Sequence, residues 1–511
     1  MPWWQTAVVY QIYPRSFADA SGDGVGDLAG IRRHLDHLAW LGVDAVWLSP
    51  IFRSPMKDFG YDVADYRDVD PLFGTLADLD GLIADAHARD IKVLLDWVPN
   101  HTSDQHPWFR ESRASRQSAK RGWYVWRDPA PDGGPPNNWL AAFGRGSSAW
   151  TFDEATGQYY LHLFLPEQPD LDWSNPDVRR AMHDVVRFWL DRGVDGFRVD
   201  VVHGLGKDPR LPDLAPELAA IPVSALNDHD STHGILRELR RLVDAYPGDR
   251  VLVGEVWLLL ARTHARYFGR GDELHLLFEL PAAVLASWDA SAWRERIADV
   301  ASRLDPIGAW PTWVLSNHDV PRHRTRFGSE TAARAAAVLI STLRGTPFLY
   351  QGEELGLENA VVPPDRAVDP GGRDGCRAPI PWTAEPDHGW PATPWLPWPP
   401  DPERRNVARL RDDPGSILHL YRRLLALRRA SPALHAGTLR LLDAPDGVLA
   451  FERAADGERW VVLVNFTAAP AEVAARGVVT VASDGVGEGA AYGGTLAPGQ
   501  AVVLAHAAPP T

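Results

Sequence analysis

Cysteine is nearly absent from this sequence, since Cys376 is the only one among 511 residues. A single thiol cannot form a disulfide within the chain, which is typical of proteins from a reducing cytoplasm. Its position inside the segment RDGCRAP predicts that Cys376 packs locally and has no catalytic role.

Long apolar segments and excess positive charge are missing as well. No apolar stretch reaches the roughly 18 residues that indicate a membrane-spanning helix. Residues 1–4 carry no basic residue of the kind that opens a secretory signal, so we expect neither secretion nor membrane insertion. The net charge of -15 argues against nucleic acid or an anionic membrane as a partner and agrees with an uncharged substrate.

Three carboxylates, in contrast, lie at or just past the ends of short apolar runs. GVDGFRVD ends at Asp200, RVLVGEVW contains Glu255, and WVLSNHD ends at Asp319. Apolar runs of this length predict buried parallel strands, and a β/α barrel assembles its active site at the carboxyl ends of such strands. The pattern therefore indicates acid–base chemistry.

Arg198 lies two residues before Asp200, so the two side chains share one face of the strand. A neighbouring guanidinium lowers the pKa of a carboxyl and keeps it ionised, as a nucleophile requires. A retaining glycosidase pairs such a nucleophile with a protonated carboxyl about 5 Å away. Glu255 suits this second role, because its neighbours along the chain are apolar and favour the protonated form. A buried structural Arg–Asp pair is the alternative that the pattern leaves open.

Four segments in this order resemble the signature of the α-amylase superfamily of retaining glycoside hydrolases: DWVPNH (96–101), GFRVDVVH (196–203), GEVW (254–257) and SNHD (316–319). The opening WWQTAVVYQIYPRSF and the segment RDGCRAPIPW (373–382) are similar to its α-glucosidase and oligo-1,6-glucosidase branch. The resemblance covers the chain from about Trp3 to Arg429.

The resemblance implies a role for each matching residue. Asp200 would be the nucleophile, Glu255 the general acid and base, and Asp319 the transition-state stabiliser. Arg198 would orient Asp200. The residues implied to contact the terminal glucose are His101, His318, Tyr61 and Asp62.

The same resemblance implies a closed pocket. Asp62 and Arg377 would form an ion pair behind the terminal glucose, with Arg373 as the less favoured arginine for this task. Phe143 and Phe164 lie in and near the end of a predicted insertion, where they either line the pocket or pack within the insertion.

Val201, directly after the nucleophile, bears on linkage preference. In the resembling branch a valine here accompanies preference for α-1,6 bonds. That branch usually carries Asn where this chain has His203, so α-1,4 or dual specificity stays open.

The length exceeds what one hydrophobic core normally serves, so two or three domains are expected. The stretch from Asp96 to Asp200 is far longer than the roughly 30 residues of one strand–helix unit, which predicts an insertion. After Arg429, short β runs between Gly, Pro and Asp turns predict an antiparallel β-sandwich. The predicted division is a TIM barrel over 1–100 and 171–430, an inserted subdomain over 101–170 and a β-sandwich over 431–511.

One early loop carries oxygen ligands at alternating positions: Asp19, Ser21, Asp23, Val25 through its carbonyl, and Asp27. With Gly24 at the sixth position the loop is similar to an EF-hand-like calcium loop. The predicted Ca²⁺ or Mg²⁺ would be structural, and catalysis would need no cofactor. A turn rich in Asp and Gly that binds no metal is the alternative.

The sequence therefore predicts a retaining, exo-acting α-glucosidase that releases glucose from the non-reducing end of short α-1,4- or α-1,6-glucosides, with or without transglucosylation. A trehalose or isomaltulose synthase-like isomerase is one alternative. A non-catalytic carbohydrate-binding barrel is another, disfavoured because all three carboxylates are present. The expected protein is a monomer or homodimer whose partner is a small oligosaccharide.

Overall fold

The computed structural model describes residues 1–144, 146–259, 261–278 and 287–505. At its centre lie eight parallel strands: β1 (Val9–Ile12), β2 (Ala45–Leu48), β3 (Lys92–Trp97), β4 (Gly196–Val199), β5 (Val251–Gly254), β6 (Leu276–Leu277), β7 (Thr312–Val314) and β8 (Thr346–Tyr350). Strands β1 to β6 pair in order, β7 pairs with β8, and β8 pairs with β1. Between β7 and β6, the Thr312 hydroxyl donates to the Leu277 carbonyl at 2.6 Å. The predicted (β/α)8 barrel is confirmed.

Side chains along these strands alternate between the barrel interior and the surrounding helices, because successive residues of a strand face opposite sides. On β5, Val251 and Val253 belong to the interior cluster, whereas Leu252 packs in the core beneath the helices. The same alternation places Arg198 of β4 inside the barrel. Asp200 and Glu255, the residues that continue the interior faces of β4 and β5, therefore meet at one end.

Helices cover the outside of the barrel, and one further helix, Pro107–Ala114, lies in an inserted segment. The α-helices span Trp3–Thr6, Leu28–Arg33, Leu35–Leu41, Leu76–His87, Pro107–Ala114, Pro176–Asp191, Ser231–Asp244, Ala290–Leu304, His323–Phe327, Glu330–Thr342, Val407–Asp412, Ile417–Ala430 and Pro432–His435. Pro176–Asp191 shows why they form: Asn175 caps the Asp177 amide, and the apolar residues recur along one face. None of the helices in the described ranges combines the length and the apolar character that crossing a membrane requires.

A small subdomain lies between β3 and helix Pro176–Asp191. It contains helix Pro107–Ala114 and an antiparallel sheet of three strands, Trp126–Arg127, Gln158–Leu161 and Trp150–Asp153. Backbone bridges join its base to its return segment, from His101 to Asp170 and from Tyr124 to Leu171. The insertion after the third strand is therefore confirmed.

The C-terminal region forms two antiparallel sheets. Its strands are Thr438–Leu442, Val448–Ala455, Glu458–Asn465, Ala471–Glu472, Val478–Ala482, Thr495–Leu496 and Ala501–Ala505. Ala471–Glu472 and Thr495–Leu496 form a two-stranded sheet, and the other five strands form the second sheet. The five-stranded sheet buries both faces: Val462 and Val503 join the main core, whereas Val461 and Val502 pack in the smaller C-terminal core. This confirms the predicted antiparallel β domain. Two short strands outside these units, Phe52–Arg53 and Asp65–Val69, form a hairpin after β2.

Candidate active site

One arginine holds three buried carboxylates at the carboxyl ends of β3, β4 and β5. Arg198 Nη1 lies 2.7 Å from Asp96 Oδ1 and 2.6 Å from Asp200 Oδ1, and Nη2 lies 2.7 Å from Glu255 Oε2. All four side chains are buried. Because a single guanidinium contacts both Asp200 and Glu255, these two carboxyl groups are held side by side.

Burial dominates the protonation of this cluster. It raises the pKa of Asp200 well above the usual range; Arg198 opposes the rise, and the neighbouring Glu255 and Asp96 add to it. Burial likewise raises the pKa of Asp96 to about 6. The expectation that Arg198 would keep the pKa of Asp200 low is therefore wrong in this structure, because one positive charge is divided among three carboxyls. A side-chain hydrogen bond with Glu255 contributes to the raised pKa of Asp200.

The carboxyl of Glu255 is fixed from three sides. Its Oε1 accepts a hydrogen bond from Trp257 Nε1 at 2.8 Å, and its Oε2 accepts one from the Val201 amide at 3.2 Å in addition to the Arg198 contact. These donors determine where the carboxyl points, so the candidate acid faces the same cavity as Asp200.

Asp319 has a different electrostatic environment from the other two carboxylates. Burial alone would raise its pKa, but neighbouring positive groups lower it well below the usual range. Arg373 Nη1 lies 2.9 Å and Arg377 Nη2 3.4 Å from Asp319 Oδ1. Burial lowers the pKa of the adjacent His318 to about 3, so His318 is neutral at neutral pH and the two arginines supply the field. Asp319 is therefore a fixed anion.

A hydrogen-bond chain determines the tautomer of His318. The Gln11 amide donates to its Nδ1 at 2.8 Å, which leaves the ring proton on Nε2. Nε2 faces both the Tyr61 hydroxyl at 2.7 Å and Asp319 Oδ2 at 3.3 Å. Tyr61 in turn donates to Asp96 at 2.9 Å. Thus Tyr61 and His318 connect Asp319 to the Arg198 cluster.

These groups surround a cavity of about 350 Å³. Its lining residues are Asp58, Tyr61, His101, Ala142, Phe143, Phe164, Asp200, Val201, His203, Ser224, Ala225, Glu255, Trp257, Asp319, Gly371 and Arg373. The three predicted catalytic carboxylates thus lie together with Tyr61, His101, Phe143, Phe164 and Val201. Arg198 and His318 lie directly behind this wall.

The ion pair that lines the cavity differs from the predicted one. Arg373 Nη2 pairs with Asp58 Oδ1 at 2.7 Å, and its guanidinium lies 5.0 Å from the centre of the Phe143 ring. Asp62 does not line the cavity, because its carboxylate accepts hydrogen bonds from the Ser54 hydroxyl and the Lys57 and Asp58 amides.

Arg377 also lies outside the lining. Its Nε donates to the His318 carbonyl at 2.8 Å, and its Nη1 contacts Asp369 at 3.1 Å. The pair predicted at Asp62 and Arg377 is therefore formed by Asp58 and Arg373. Asp62 instead shapes the loop that presents Asp58.

One wall of the cavity was not predicted at all. Ser224 and Ala225 come from a long segment after β4, and the Ser224 carbonyl accepts a hydrogen bond from His203 Nε2 at 2.7 Å. Trp257, which follows Glu255, completes this side. Two of these residues carried a sequence signal: His203 as a departure from the resembling branch, and Trp257 as the end of the GEVW segment. Nothing in the local pattern of residues 223–225 indicates that they reach the site.

A largely buried lysine side chain ties the subdomain to the loop after β4. Lys207 Nζ lies 2.9 Å from Asp170 Oδ2, 3.1 Å from Asn100 Oδ1 and 2.7 Å from the Gly204 carbonyl. Asn100 precedes His101, so this ammonium links both sides of the cavity.

We expect Lys207→Met to lower the free energy of unfolding by about 3–5 kcal/mol, because it leaves the fully buried Asp170 without a counter-charge. Chemical denaturation would measure the loss. Adding Asp170→Asn should recover much of it by removing the unpaired charge. A double variant as unstable as the single one would contradict the ion-pair explanation.

The predicted cation loop uses its carboxylates for backbone contacts. The Asp19 carboxylate accepts hydrogen bonds from the Gly22 and Gly24 amides. The Asp27 carboxylate accepts hydrogen bonds from the amides of residues 20, 21 and 30, and the last of these bonds caps helix Leu28–Arg33. The Asp23 carboxylate accepts the Val25 amide. Across the described ranges, no group of three or more His, Cys, Asp or Glu side chains converges as metal ligands would.

Ca²⁺ or Mg²⁺ in this loop stays a prediction, and metal removal checks it. A bound structural ion would make the melting temperature fall on addition of EDTA and recover with excess Ca²⁺. Elemental analysis of the purified protein gives the stoichiometry. An unchanged melting temperature and no bound metal would leave the Asp19–Asp27 loop as a turn alone.

Comparisons with known proteins agree on one family. The family model "Alpha amylase, catalytic domain" matches residues 11–437. A probable alpha-glucosidase of Rhizobium meliloti (strain 1021) is 44% identical over 503 residues, covering 91% of this chain and 89% of that protein. An oligo-1,6-glucosidase of Parageobacillus thermoglucosidasius is 38% identical over 514 residues, covering 91% and 90%.

Solved structures give the same result for the fold. The crystal structure of the alpha-glucosyl transfer enzyme XgtA superposes with a TM-score of 0.91 at 42% identity, covering 99% of this chain and 100% of that one. The trehalulose synthase MutB from Pseudomonas mesoacidophila MX-45 gives a TM-score of 0.93 at 35% identity, covering 99% of each chain.

Proposed function

This chain belongs to the alpha-amylase family of glycoside hydrolases, and we propose that it is a retaining, exo-acting α-glucosidase for short α-glucosides. The observation that carries the proposal is the single guanidinium of Arg198 on both Asp200 and Glu255. A retaining mechanism uses two carboxyls about 5 Å apart, whereas an inverting one needs room for a water between them. Carboxyls that share one guanidinium lie close together, which favours the retaining arrangement.

The proposed reaction has two steps. The Asp200 carboxylate attacks the anomeric carbon while Glu255 donates its proton to the departing glycosidic oxygen, which forms a glucosyl ester on Asp200. Glu255 then takes a proton from water, or from a sugar hydroxyl, as that oxygen displaces Asp200. Asp319, held anionic by Arg373 and Arg377, stabilises the positive charge that develops on the glucose ring.

The exo-acting part of the proposal rests on the closed end of the cavity. Arg373 bridges Asp58, Asp319 and Asp369 and lies against the Phe143 ring. A bidentate guanidinium held by several carboxylates fixes hydroxyl positions, and we propose that it closes this end of the cavity to a further sugar.

We expect Arg373→Ala to lower kcat/KM for maltose and isomaltose by about 10–100-fold, since charged hydrogen bonds to substrate and to Asp319 are lost. The exposed Arg404 offers a matched control, because Arg404→Ala removes a guanidinium from the surface. Soluble starch distinguishes the modes of attack. A rapid fall in viscosity before glucose appears with the unaltered protein would refute the closed pocket.

Product analysis tests the proposed function as a whole. Incubation with maltose, isomaltose, sucrose and trehalose should release glucose from at least one of the two glucose disaccharides and show which linkage the protein prefers. An isomerase is the second candidate, favoured by the overall likeness to the trehalulose synthase MutB. Conversion of sucrose mainly into isomeric disaccharides, with little free glucose, would favour that reading. No turnover of any α-glucoside would reject both.

A further inference from the structure

The residue after the proposed nucleophile has an unfavourable backbone conformation. Val201 adopts φ 44° and ψ 48°, in the left-handed region where a side chain branched at Cβ is strongly disfavoured. Among the described residues it is the only β-branched one with a positive φ. Backbone strain of this kind tends to persist at functional sites, where the surroundings enforce it.

The strained turn directs two consecutive amides onto one residue. The Val201 N–H donates to Glu255 Oε2 at 3.2 Å, and the Val202 N–H donates to the Glu255 carbonyl at 3.1 Å. One amide therefore holds the side chain of Glu255 and the other holds its backbone. The end of β4 is joined in this way to the end of β5.

The segment after Val201 is held so that the turn cannot relax. The Gly204 amide donates to the Val201 carbonyl at 2.9 Å. A Cβ on Gly204 would lie 2.6 Å from Asn100 Oδ1 and 2.9 Å from Val201 Cγ1, so no other residue fits without movement. Lys207 and Asn227 bind the backbone carbonyls of Gly204 and His203, each at 2.7 Å.

We infer that Val201 is a positioning residue whose left-handed backbone fixes the Glu255 carboxyl relative to the adjacent Asp200. The inference rests on the proposed role of Glu255 as general acid and base. Oε2 of Glu255 accepts hydrogen bonds from two donors, the Val201 amide and Arg198 Nη2. Oε1 accepts one from Trp257 Nε1. Without the Val201 N–H, Arg198 is the one remaining donor of the two to Oε2, and the carboxyl can turn away from the leaving group.

Replacing Val201 by its α-hydroxy acid, through nonsense suppression in the full-length chain, removes this N–H and keeps the side chain. The substrates are methyl α-glucoside, whose leaving group needs protonation, and p-nitrophenyl α-glucoside, whose leaving group departs with little help from an acid. We expect kcat/KM for the methyl glucoside to fall about 10–100-fold and that for the nitrophenyl glucoside less than about 3-fold.

Two further variants separate positioning from packing. The same ester at Val202 removes the bond to the Glu255 backbone, and should affect both substrates alike. Val201→Gly keeps the amide and adopts a positive φ at no steric cost, so the ratio between the two substrates should stay within about 3-fold of the unaltered value.

An equal loss on both substrates with the Val201 ester, or no loss on either, would overturn the inference while leaving the glucosidase proposal intact. A selective loss in Val201→Gly as large as that in the ester would also overturn it, because the amide is still present there. Failure of the unaltered protein to hydrolyse either glucoside would instead reject the proposed function and the inference with it.

Discussion

Asp200→Asn should lower kcat by about 10⁴-fold or more while the protein remains folded. The amide keeps the shape of the carboxyl but cannot attack the anomeric carbon, so the covalent route is lost. Because burial raises the pKa of Asp200, the native protein carries a cost for ionising this group, and Asn removes that cost. We therefore expect a melting temperature equal to or above that of the native protein.

The control for this variant is Asp365→Asn, which makes the same chemical change at an exposed position. It should leave kcat and the melting temperature within experimental error. Circular dichroism and thermal melts check the fold of both variants. Residual activity of Asp200→Asn above about one hundredth of the native value, after exclusion of deamidation by mass spectrometry, would contradict the assignment of the nucleophile.

Arg198→Met should strongly lower the free energy of unfolding. It leaves the carboxyls of Asp96, Asp200 and Glu255 buried without their shared counter-charge, and breaking a buried charge pair costs about 3–5 kcal/mol. Activity should be lost too, because Arg198 orients both carboxyls of the proposed catalytic pair.

The loss in Arg198→Met should depend on pH with a defined sign. A carboxyl whose pKa in the folded protein exceeds its unfolded value opposes folding increasingly as pH rises. Asp96, with a pKa of about 6 against the ordinary value of 3.8, already does so from about pH 4 upwards. Without Arg198 this penalty grows, so the free energy of unfolding should differ from that of the native protein more at pH 7.5 than at pH 5.

Arg453→Met is the matched control for this effect. Arg453 is equally buried, but its guanidinium donates to the backbone carbonyls of residues 342, 437 and 438, and it pairs with no carboxylate among the described residues. Its loss should destabilise the protein without the rise between pH 5 and pH 7.5. A pH-independent deficit in Arg198→Met would show that the carboxyl cluster is not what Arg198 stabilises.

Strand-end position was a strong predictor of the site. Asp200 and Glu255 could be predicted because each continues the interior face of a barrel strand, and the alternation of side chains leaves no other place for them. Asp319 lies five residues beyond β7 and was identified by its motif. The barrel followed from the apolar runs that end in carboxylates and from the family resemblance. The insertion followed from the length between Asp96 and Asp200, and the C-terminal domain from the change of hydrophobic pattern.

Loop geometry could not be predicted in the same way. Asp58 and Asp62 lie four residues apart in one loop, as do Arg373 and Arg377 in another, and sequence alone does not say which member turns towards the cavity. Asp62 accepts hydrogen bonds from two backbone amides of its own loop, which holds its carboxylate away from the cavity and leaves Asp58 to line it. Ser224 lies in a long segment without a regular hydrophobic pattern, so the sequence does not predict that it reaches the site.

The electrostatics of the cluster also escaped prediction. The spacing of Arg198 and Asp200 indicates a simple pair in which the arginine lowers the carboxyl pKa. The fold brings Asp96 and Glu255 to the same guanidinium, and burial of three carboxyls outweighs one positive charge. Contacts between β3, β4 and β5, which are far apart in sequence, produce the raised pKa of Asp200. A local motif does not predict such contacts.

The anomeric form of the first glucose released tests the central claim most directly. Proton NMR spectra recorded within the first minutes of maltose or isomaltose hydrolysis, before mutarotation, distinguish α-glucose from β-glucose. Attack by Asp200 followed by attack of water inverts the anomeric carbon twice, so the account predicts α-glucose as the first product. β-Glucose as the first product would show a single displacement by water and contradict the covalent role of Asp200.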